Sequence, residues 1–206
     1  MAEKKYTPMM QHYLKMKEEN PESILFYRLG DFYEMFFEDA KLVSQELDLV
    51  LTGRSAGVEE KVPMCGIPFH AANSYIQRLV KKGYKVAICE QLEDPSSAKG
   101  LVDRGIIKII TPGTYMDATM DAKSTNYMAS CDVSSFEITV IYCELSTGEL
   151  KYQTLQRSLV ALQKALLEQN VSELVCPMTM DKKWMAALEE MDTMLISKHK
   201  KANIDP

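Results

Sequence analysis

The sequence lacks the signatures of several common classes of enzyme and of membrane protein. Its 206 residues contain no Gly-x-x-x-x-Gly-Lys-Ser/Thr, no Gly-x-Gly-x-x-Gly, no His-Glu-x-x-His and no Gly-x-Ser-x-Gly. Nucleotide hydrolysis, dinucleotide chemistry, zinc proteolysis and serine hydrolysis therefore have no recognisable site. No apolar run approaches the ~18 residues of a membrane-spanning helix, and the N-terminus has no apolar signal core, so we expect neither export nor membrane insertion.

Cysteine and histidine are few and scattered. The five cysteines form no Cys-x-x-Cys pair and the three histidines stand singly, which argues against a disulfide scaffold or a zinc site and fits a reducing compartment. Cys65 and His70 lie close in sequence and suggest one alternative, a thiol nucleophile with its base. No third group is present to orient the histidine, and ordinary loop residues explain the pair much better.

The charge of the chain is not that of a strongly basic DNA-binding protein. The net charge is -5; residues 1–115 carry 15 basic and 16 acidic side chains, and residues 116–206 carry 9 and 13. Phosphate contacts require Lys and Arg, and these outnumber the acids by seven to four between Arg78 and Lys108. On charge alone, a solvated surface explains that basic stretch better than a DNA contact does.

Helix and strand patterns alternate along residues 1–115, which predicts an α/β domain. Helices are predicted at 8–20, 38–47 and 71–82, and strands at 24–29, 32–35, 49–52, 85–89 and 106–110. A Gly/Ser loop at 53–63 and a Pro/Ser loop at 94–100 separate some of them.

A second α/β domain is predicted after a linker. Residues 116–126 have little periodicity and are the candidate linker. Three antiparallel strands are predicted at 127–132, 136–145 and 149–155, followed by a helix at 159–169, a strand at 171–176, a helix at 180–191 and a strand at 194–197. The predicted domains are therefore 1–115 and 127–206.

Aromatic and acidic residues are concentrated just after Gly30. In an extended chain Phe32 and Glu34 leave the strand on the same side, and Tyr33 points to the other side, into the core. A phenylalanine in such a pattern is usually a core residue. The exposure of Phe32 therefore decides between a binding role and a structural one.

Five segments resemble the MutS family of DNA mismatch-repair proteins in order and spacing. They are Thr7-Pro-Met-Met, Phe26-Tyr-Arg-Leu-Gly-Asp-Phe-Tyr-Glu-Met-Phe, Pro63-Met-Cys-Gly-Ile-Pro-Phe-His, Val86-Ala-Ile-Cys-Glu-Gln and Ile110-Thr-Pro-Gly-Thr. The resemblance is close over residues 7–115 and looser around Leu145-Ser-Thr-Gly-Glu. It implies a mixed-sheet, mismatch-binding α/β domain followed by a truncated connector domain with a ribonuclease-H-like fold and no catalysis.

The same resemblance implies roles for two residues. Phe32 would stack on a mispaired or unpaired base from the minor groove, and Glu34 would hydrogen-bond that base. A mispaired step resists unstacking and kinking less than a matched one does, so an apolar wedge detects it by its deformability. The carboxylate of Glu34 weakens binding to any duplex that offers it no hydrogen bond.

The remaining expectations concern partners and cofactors. Arg54, Arg78 and Lys81 are candidates for contacts with the DNA backbone. The resemblance implies duplex DNA with a mismatch or a small insertion/deletion loop as ligand, and MutL as a partner reached partly through the connector. It implies a homodimer for the full-length protein, with ATP and Mg²⁺ bound only in the ATPase domain of that protein. For this chain we therefore expect no catalytic residue, no cofactor and no metal, and a cytoplasmic, nucleoid-associated location.

The alternative is a protein-interaction module of a larger repair assembly, without DNA binding of its own, in which Phe32 is a core residue.

Overall fold

A computed structural model of the chain describes residues 6–93, 102–116 and 125–199. The chain divides into two compact units, residues 1–110 and 111–206. Each unit combines helices with a mixed sheet, which confirms the predicted α/β class. Within the described ranges no helix is both long and apolar enough to cross a membrane.

The first unit is built on a six-stranded sheet. Its elements are α1 (Pro8–Glu19), β1 (Ser23–Leu29), β2 (Phe32–Phe36), α2 (Phe37–Leu47), β3 (Thr52–Arg54), β4 (Val62–Pro68), a 3₁₀ turn (Phe69–Ala71), α3 (Ala72–Lys81), β5 (Lys85–Gln91) and β6 (Arg104–Ile110). The strand order is β3-β4-β2-β1-β5-β6. The β1–β5 pair is parallel and the other pairs are antiparallel.

The two faces of this sheet are covered by different helices. On one face Tyr13 of α1 packs edge-on against Phe36 and Tyr27, with ring centroids 4.9 and 5.6 Å apart. On the other face the Cys65 thiol donates a hydrogen bond to the carbonyl of Ala40 in α2 (3.5 Å). Helix α3 contacts α2 and β5. Helix α1 therefore covers the face that carries Phe36, and α2 and α3 cover the opposite face.

A buried carboxylate joins these layers. Asp39 of α2 accepts hydrogen bonds from the Lys17 Nζ (2.8 Å), from the Leu25 backbone N–H (2.9 Å) and from the Tyr13 hydroxyl (3.4 Å). These bonds connect α1, β1 and α2 through one buried anion. Burial and the adjacent Asp39 raise the pKa of Tyr13, so its hydroxyl stays protonated and donates.

The segment between α2 and α3 differs from the prediction. The strand expected at 49–52 is wrong over residues 49–51, because β3 begins only at Thr52 and extends into the predicted Gly/Ser loop. Strand β4 was not predicted, since Pro63, Gly66 and Pro68 interrupt its pattern. Its backbone pairs with β2 on one side and β3 on the other, so tertiary pairing overrides the local signal. The predicted Pro/Ser loop at 94–100 lies outside the described residues.

The second unit has a five-stranded sheet with two helices. Its elements are β7 (Tyr127–Val133), β8 (Glu137–Glu144), β9 (Glu149–Gln156), α4 (Leu159–Glu168), β10 (Val171–Pro177), α5 (Lys182–Glu189) and β11 (Leu195–His199). The strand order is β11-β10-β7-β8-β9. Strands β7, β8 and β9 form the predicted antiparallel meander, and β10 and β11 extend the sheet in parallel with β7. This mixed α/β arrangement is consistent with part of the connector domain that the resemblance implies.

A second buried carboxylate fixes the start of this unit. Glu173 of β10 accepts hydrogen bonds from the Thr111 hydroxyl, from the Gly113 backbone N–H (3.1 Å) and from the Ser197 hydroxyl (2.6 Å). Residues 111–113 are therefore bonded to the second unit, a few residues before the predicted boundary at 115. Most of the predicted linker, residues 117–124, lies outside the described residues.

Candidate nucleic-acid interface

Phe32 is an exposed aromatic residue on a strand that is paired on both sides. It follows the Gly30–Asp31 turn, in which Gly30 has φ +57°, a left-handed conformation that glycine adopts readily. Its backbone pairs with Leu29 of β1 and with Pro68 of β4. Its side chain is nevertheless 46% exposed, whereas Phe36, four residues along the same strand, is 1% exposed. The ring is presented to solvent from a backbone that is fixed on both sides.

Glu34 lies on the same face as Phe32 and forms an ion pair. Its carboxylate accepts a hydrogen bond from Nη1 of Arg54 in β3. The Arg54 guanidinium also lies 5.9 Å from the centroid of the Phe36 ring. The structure thus brings three of the predicted site residues, Phe32, Glu34 and Arg54, to one face of the sheet.

Tyr33 points to the opposite face, as predicted. Its side chain is buried, and its hydroxyl donates a hydrogen bond to Glu90 of β5. Burial, reinforced by the Glu90 carboxylate, raises the pKa of Tyr33 to about 12. The residue between Phe32 and Glu34 therefore anchors the strand from the opposite face.

The turn before Phe32 is held by a contact that sequence analysis missed. The guanidinium of Arg28 lies 3.7 Å from the centroid of the Phe69 ring, and the Phe69 backbone N–H donates to the Asp31 carbonyl (2.9 Å). The Arg28 Nε also donates to the Gly30 carbonyl (2.5 Å). The two contacts with Phe69 depend on the pairing of β2 with β4, and β4 had no recognisable strand signal, so no sequence pattern pointed to them.

Arg78 and Lys81 are not grouped with the other predicted residues. Both are exposed on α3, the helix that contacts α2 and β5. Because α2 and α3 cover the face opposite to Phe32, the structure does not bring these two residues to the face that carries Phe32, Glu34 and Arg54. Their role as DNA-backbone contacts stays a prediction.

The alternative centre at Cys65 and His70 lacks the geometry of a nucleophile. Cys65 is buried against α2, and burial raises the pKa of its thiol to about 12, whereas His70 is exposed on the 3₁₀ turn. A thiol that stays protonated near neutral pH is a poor nucleophile. Across the residues that the structure describes, no three His, Cys, Asp or Glu side chains are placed to hold a metal ion.

Comparison with known proteins identifies the family. Residues 7–119 match the family described as MutS domain I. The chain belongs to the MutS family. A MutS protein named as a DNA mismatch repair protein, from Clostridium botulinum strain Loch Maree, is 53% identical over 177 residues, which cover 81% of this chain and 19% of that protein.

A second relative is also a MutS protein. The DNA mismatch repair protein MutS of Clostridium tetani is 58% identical over 146 residues, covering 70% of this chain and 17% of that protein. The chain thus spans about a fifth of the length of these MutS relatives. The segment matched to MutS domain I includes Phe32, Glu34 and Arg54.

Proposed function

We propose that this chain recognises mispaired or unpaired bases in duplex DNA from the minor groove, with Phe32 as the wedge and Glu34 as the hydrogen-bonding partner of the displaced base. Membership of the MutS family supports a role in mismatch repair. The exposure of Phe32 is the observation that carries the assignment of the wedge.

That observation separates the proposal from its alternative. In a protein-interaction module without DNA binding, Phe32 is expected to be a core residue like Phe36. Phe32 is 46% exposed, although the strand that carries it is paired on both sides. An exposed aromatic ring gives up the favourable free energy of hydrophobic burial. Such a ring on a paired strand is suited to insertion into a ligand.

The physics of the duplex explains how such a wedge would select mismatches. Inserting an apolar side chain between base steps costs unstacking energy and kinks the duplex. The cost is smaller at a mispaired or unpaired base, so the same wedge binds defective DNA more tightly than matched DNA. Selectivity then arises from the deformability of the DNA, and it needs no strongly basic surface.

Glu34 would add selectivity by penalising matched DNA. A carboxylate near phosphates is unfavourable unless a base donates a hydrogen bond to it. A displaced base can do this, whereas a stacked and paired base cannot. Arg78 and Lys81 are proposed to contribute sequence-independent backbone contacts.

The wider role follows from the family. We propose that the second unit acts as the connector, which reaches MutL, and that the full-length protein is a homodimer that binds ATP and Mg²⁺ in a separate ATPase domain. We further propose that this chain itself binds no cofactor and catalyses no reaction, and that the protein acts in the cytoplasm at the nucleoid.

The proposal is tested by the affinity of the chain for two duplexes of one sequence, one with a single unpaired thymine and one fully matched. Stacking of a base on an aromatic side chain contributes about 1–3 kcal/mol, so Phe32→Ala should reduce the preference for the defective duplex by roughly 5- to 150-fold, or abolish it if the wild-type preference is smaller. Fluorescence anisotropy at low salt measures both affinities.

Phe136→Ala is the matched control. Phe136 is 89% exposed and lies in the turn before β8, so its loss removes the same exposed ring from a different surface. We expect it to leave both affinities unchanged. Equal preferences in wild type and Phe32→Ala, or no preference in wild type, would contradict the proposal.

A further inference from the structure

The ion pair between Arg54 and Glu34 has a geometry that bears on how Glu34 reads a base. Glu34 pairs across the sheet with Gly66 of β4, and Arg54 pairs with Val62 of the same strand. Residues 62 and 66 are an even number of positions apart, so the two charged side chains leave the sheet on one face. Strand β4 lies between their strands, and the Arg54 side chain crosses it to reach the carboxylate.

Gly66 keeps the path between these side chains open. A Cβ atom at this position would lie 3.5 Å from the Glu34 Cγ, which is already van der Waals contact. A longer side chain would occupy the space over β4 through which Glu34 and Arg54 meet. The glycine is therefore suited to the ion pair, and not to a backbone conformation that only glycine can adopt.

Arg54 is also held on its second side. Its guanidinium lies 5.9 Å from the Phe36 ring centroid, and Phe36 is fully buried and fixed by Tyr13. The Glu34 side chain is 16% exposed and that of Arg54 is 36% exposed. An ion pair across the sheet limits the orientations of the Glu34 carboxylate, which lies two residues from Phe32 and keeps part of its surface exposed to solvent.

We propose that Arg54 is a positioning residue for Glu34: it orients the carboxylate next to Phe32 and offsets part of its charge, so that the hydrogen bond to a displaced base outweighs the penalty that Glu34 imposes on every duplex. This inference rests on the proposed function and assigns Arg54 a task other than a simple phosphate contact. A guanidinium that engages a phosphate alone acts independently of Glu34, and one that positions Glu34 does not.

A double-mutant cycle with the complete chain distinguishes the two roles. The variants are Arg54→Gln, Glu34→Gln and the double variant, each measured with the unpaired-thymine duplex and its matched twin. We expect Arg54→Gln to weaken binding to both duplexes and to reduce the preference for the defective one by about fivefold. In the Glu34→Gln background the same substitution should change neither affinity nor preference by more than about twofold, since no carboxylate remains to be positioned.

Arg54→Lys supplies a readout that a purely structural role would not move. Lysine retains the charge and lacks the planar fork, so it should restore much of the general affinity and little of the preference. The opposite result would be that Arg54→Gln weakens binding to both duplexes equally, and by the same factor with Glu34 or Gln at position 34. If the salt dependence of binding also falls by about one phosphate contact, the inference is overturned and Arg54 is a backbone contact.

Failure of this inference is distinguishable from failure of the proposed function. Suppose that Phe32→Ala abolishes the preference for the defective duplex and that the effects of Arg54→Gln and Glu34→Gln on binding are additive. The role of Phe32 as the wedge is then retained, and the positioning role of Arg54 is wrong. If the wild-type chain shows no preference, both are overturned.

Discussion

Phe32 in the first unit and Phe136 in the second are both exposed phenylalanines next to a turn, yet their backbones are held in different ways. Phe32 pairs with a strand on each side, and its turn is fastened by Arg28 and Phe69. Phe136 lies in a turn, where its N–H donates to the Ser134 hydroxyl (3.2 Å). Exposure alone does not make a wedge, because a ring that pushes into stacked bases needs a support that does not yield.

The largest expected effect concerns the support of Phe32. Phe36→Ala removes a buried ring from the strand that carries Phe32 and should destabilise the first unit by ~3–5 kcal/mol, whereas Phe32→Ala should change stability by less than ~0.5 kcal/mol. Urea unfolding monitored by far-UV circular dichroism reports on both units. The fluorescence of Trp184, the sole tryptophan, reports on the second unit.

The reciprocal substitution completes that comparison. Ile138→Ala removes a buried side chain from the core of the second unit. It should lower the midpoint of the Trp184 transition, which Phe36→Ala should leave in place. A Trp184 midpoint that falls equally in both variants would show that the two units unfold together.

The second effect compares the two buried carboxylates. Asp39→Ala leaves the Leu25 N–H without its acceptor, and Glu173→Ala does the same to the Gly113 N–H. Each should cost about 1–3 kcal/mol, because buried donors lose their partner. Amide hydrogen exchange should show faster exchange at Leu25 in the first variant and at Gly113 in the second. Loss of protection at both amides in either variant would contradict separate roles.

The third effect is a sensitivity of the first unit to high pH. Burial raises the pKa of Cys65 and of Cys89 from 9.0 to about 12. Folding favours the protonated thiols, so this stability is complete below pH 9 and is lost as the pH rises from 9 towards 12. At pH 9.5 each thiol should lower the free energy of unfolding by about 1 kcal/mol relative to pH 7.5. Urea midpoints at the two pH values measure the loss, and Cys65→Ala should make it smaller.

The smallest effect concerns the reactivity of the thiols. Cys143 of the second unit is half-buried, whereas Cys65 is buried and stays protonated at pH 8. Iodoacetamide at pH 8 should therefore alkylate Cys143 before Cys65, as peptide mass spectrometry can show. Rapid, selective alkylation of Cys65 would revive the interpretation of that residue as a nucleophile.

Sequence patterns predicted the elements that carry their own local signals. The Thr7-Pro8 start of α1, the Gly30–Asp31 break between β1 and β2, and the meander of β7 to β9 were all expected and are confirmed. The inward orientation of Tyr33 followed from strand periodicity and is confirmed by its burial.

What was missed depends on pairing between distant segments. Strand β4 contains two prolines and a glycine, and only its two neighbouring strands make it a strand. The Arg54–Glu34 ion pair could not be predicted without β4, because the register of β3 and β2 against that strand sets the distance between the two side chains. The sequence alone did not determine whether Phe32 is exposed or buried, and the structure shows that it is exposed.

The most direct test of the central claim is an NMR titration of the labelled chain at low salt with a duplex holding one G·T pair, compared with its matched twin. NMR tolerates weak binding. We expect selective shifts at residues 30–36 with the G·T duplex, and their loss in Phe32→Ala. If that segment does not move with either duplex at high concentration, or moves equally with both, recognition of a mismatch by Phe32 in this chain is contradicted.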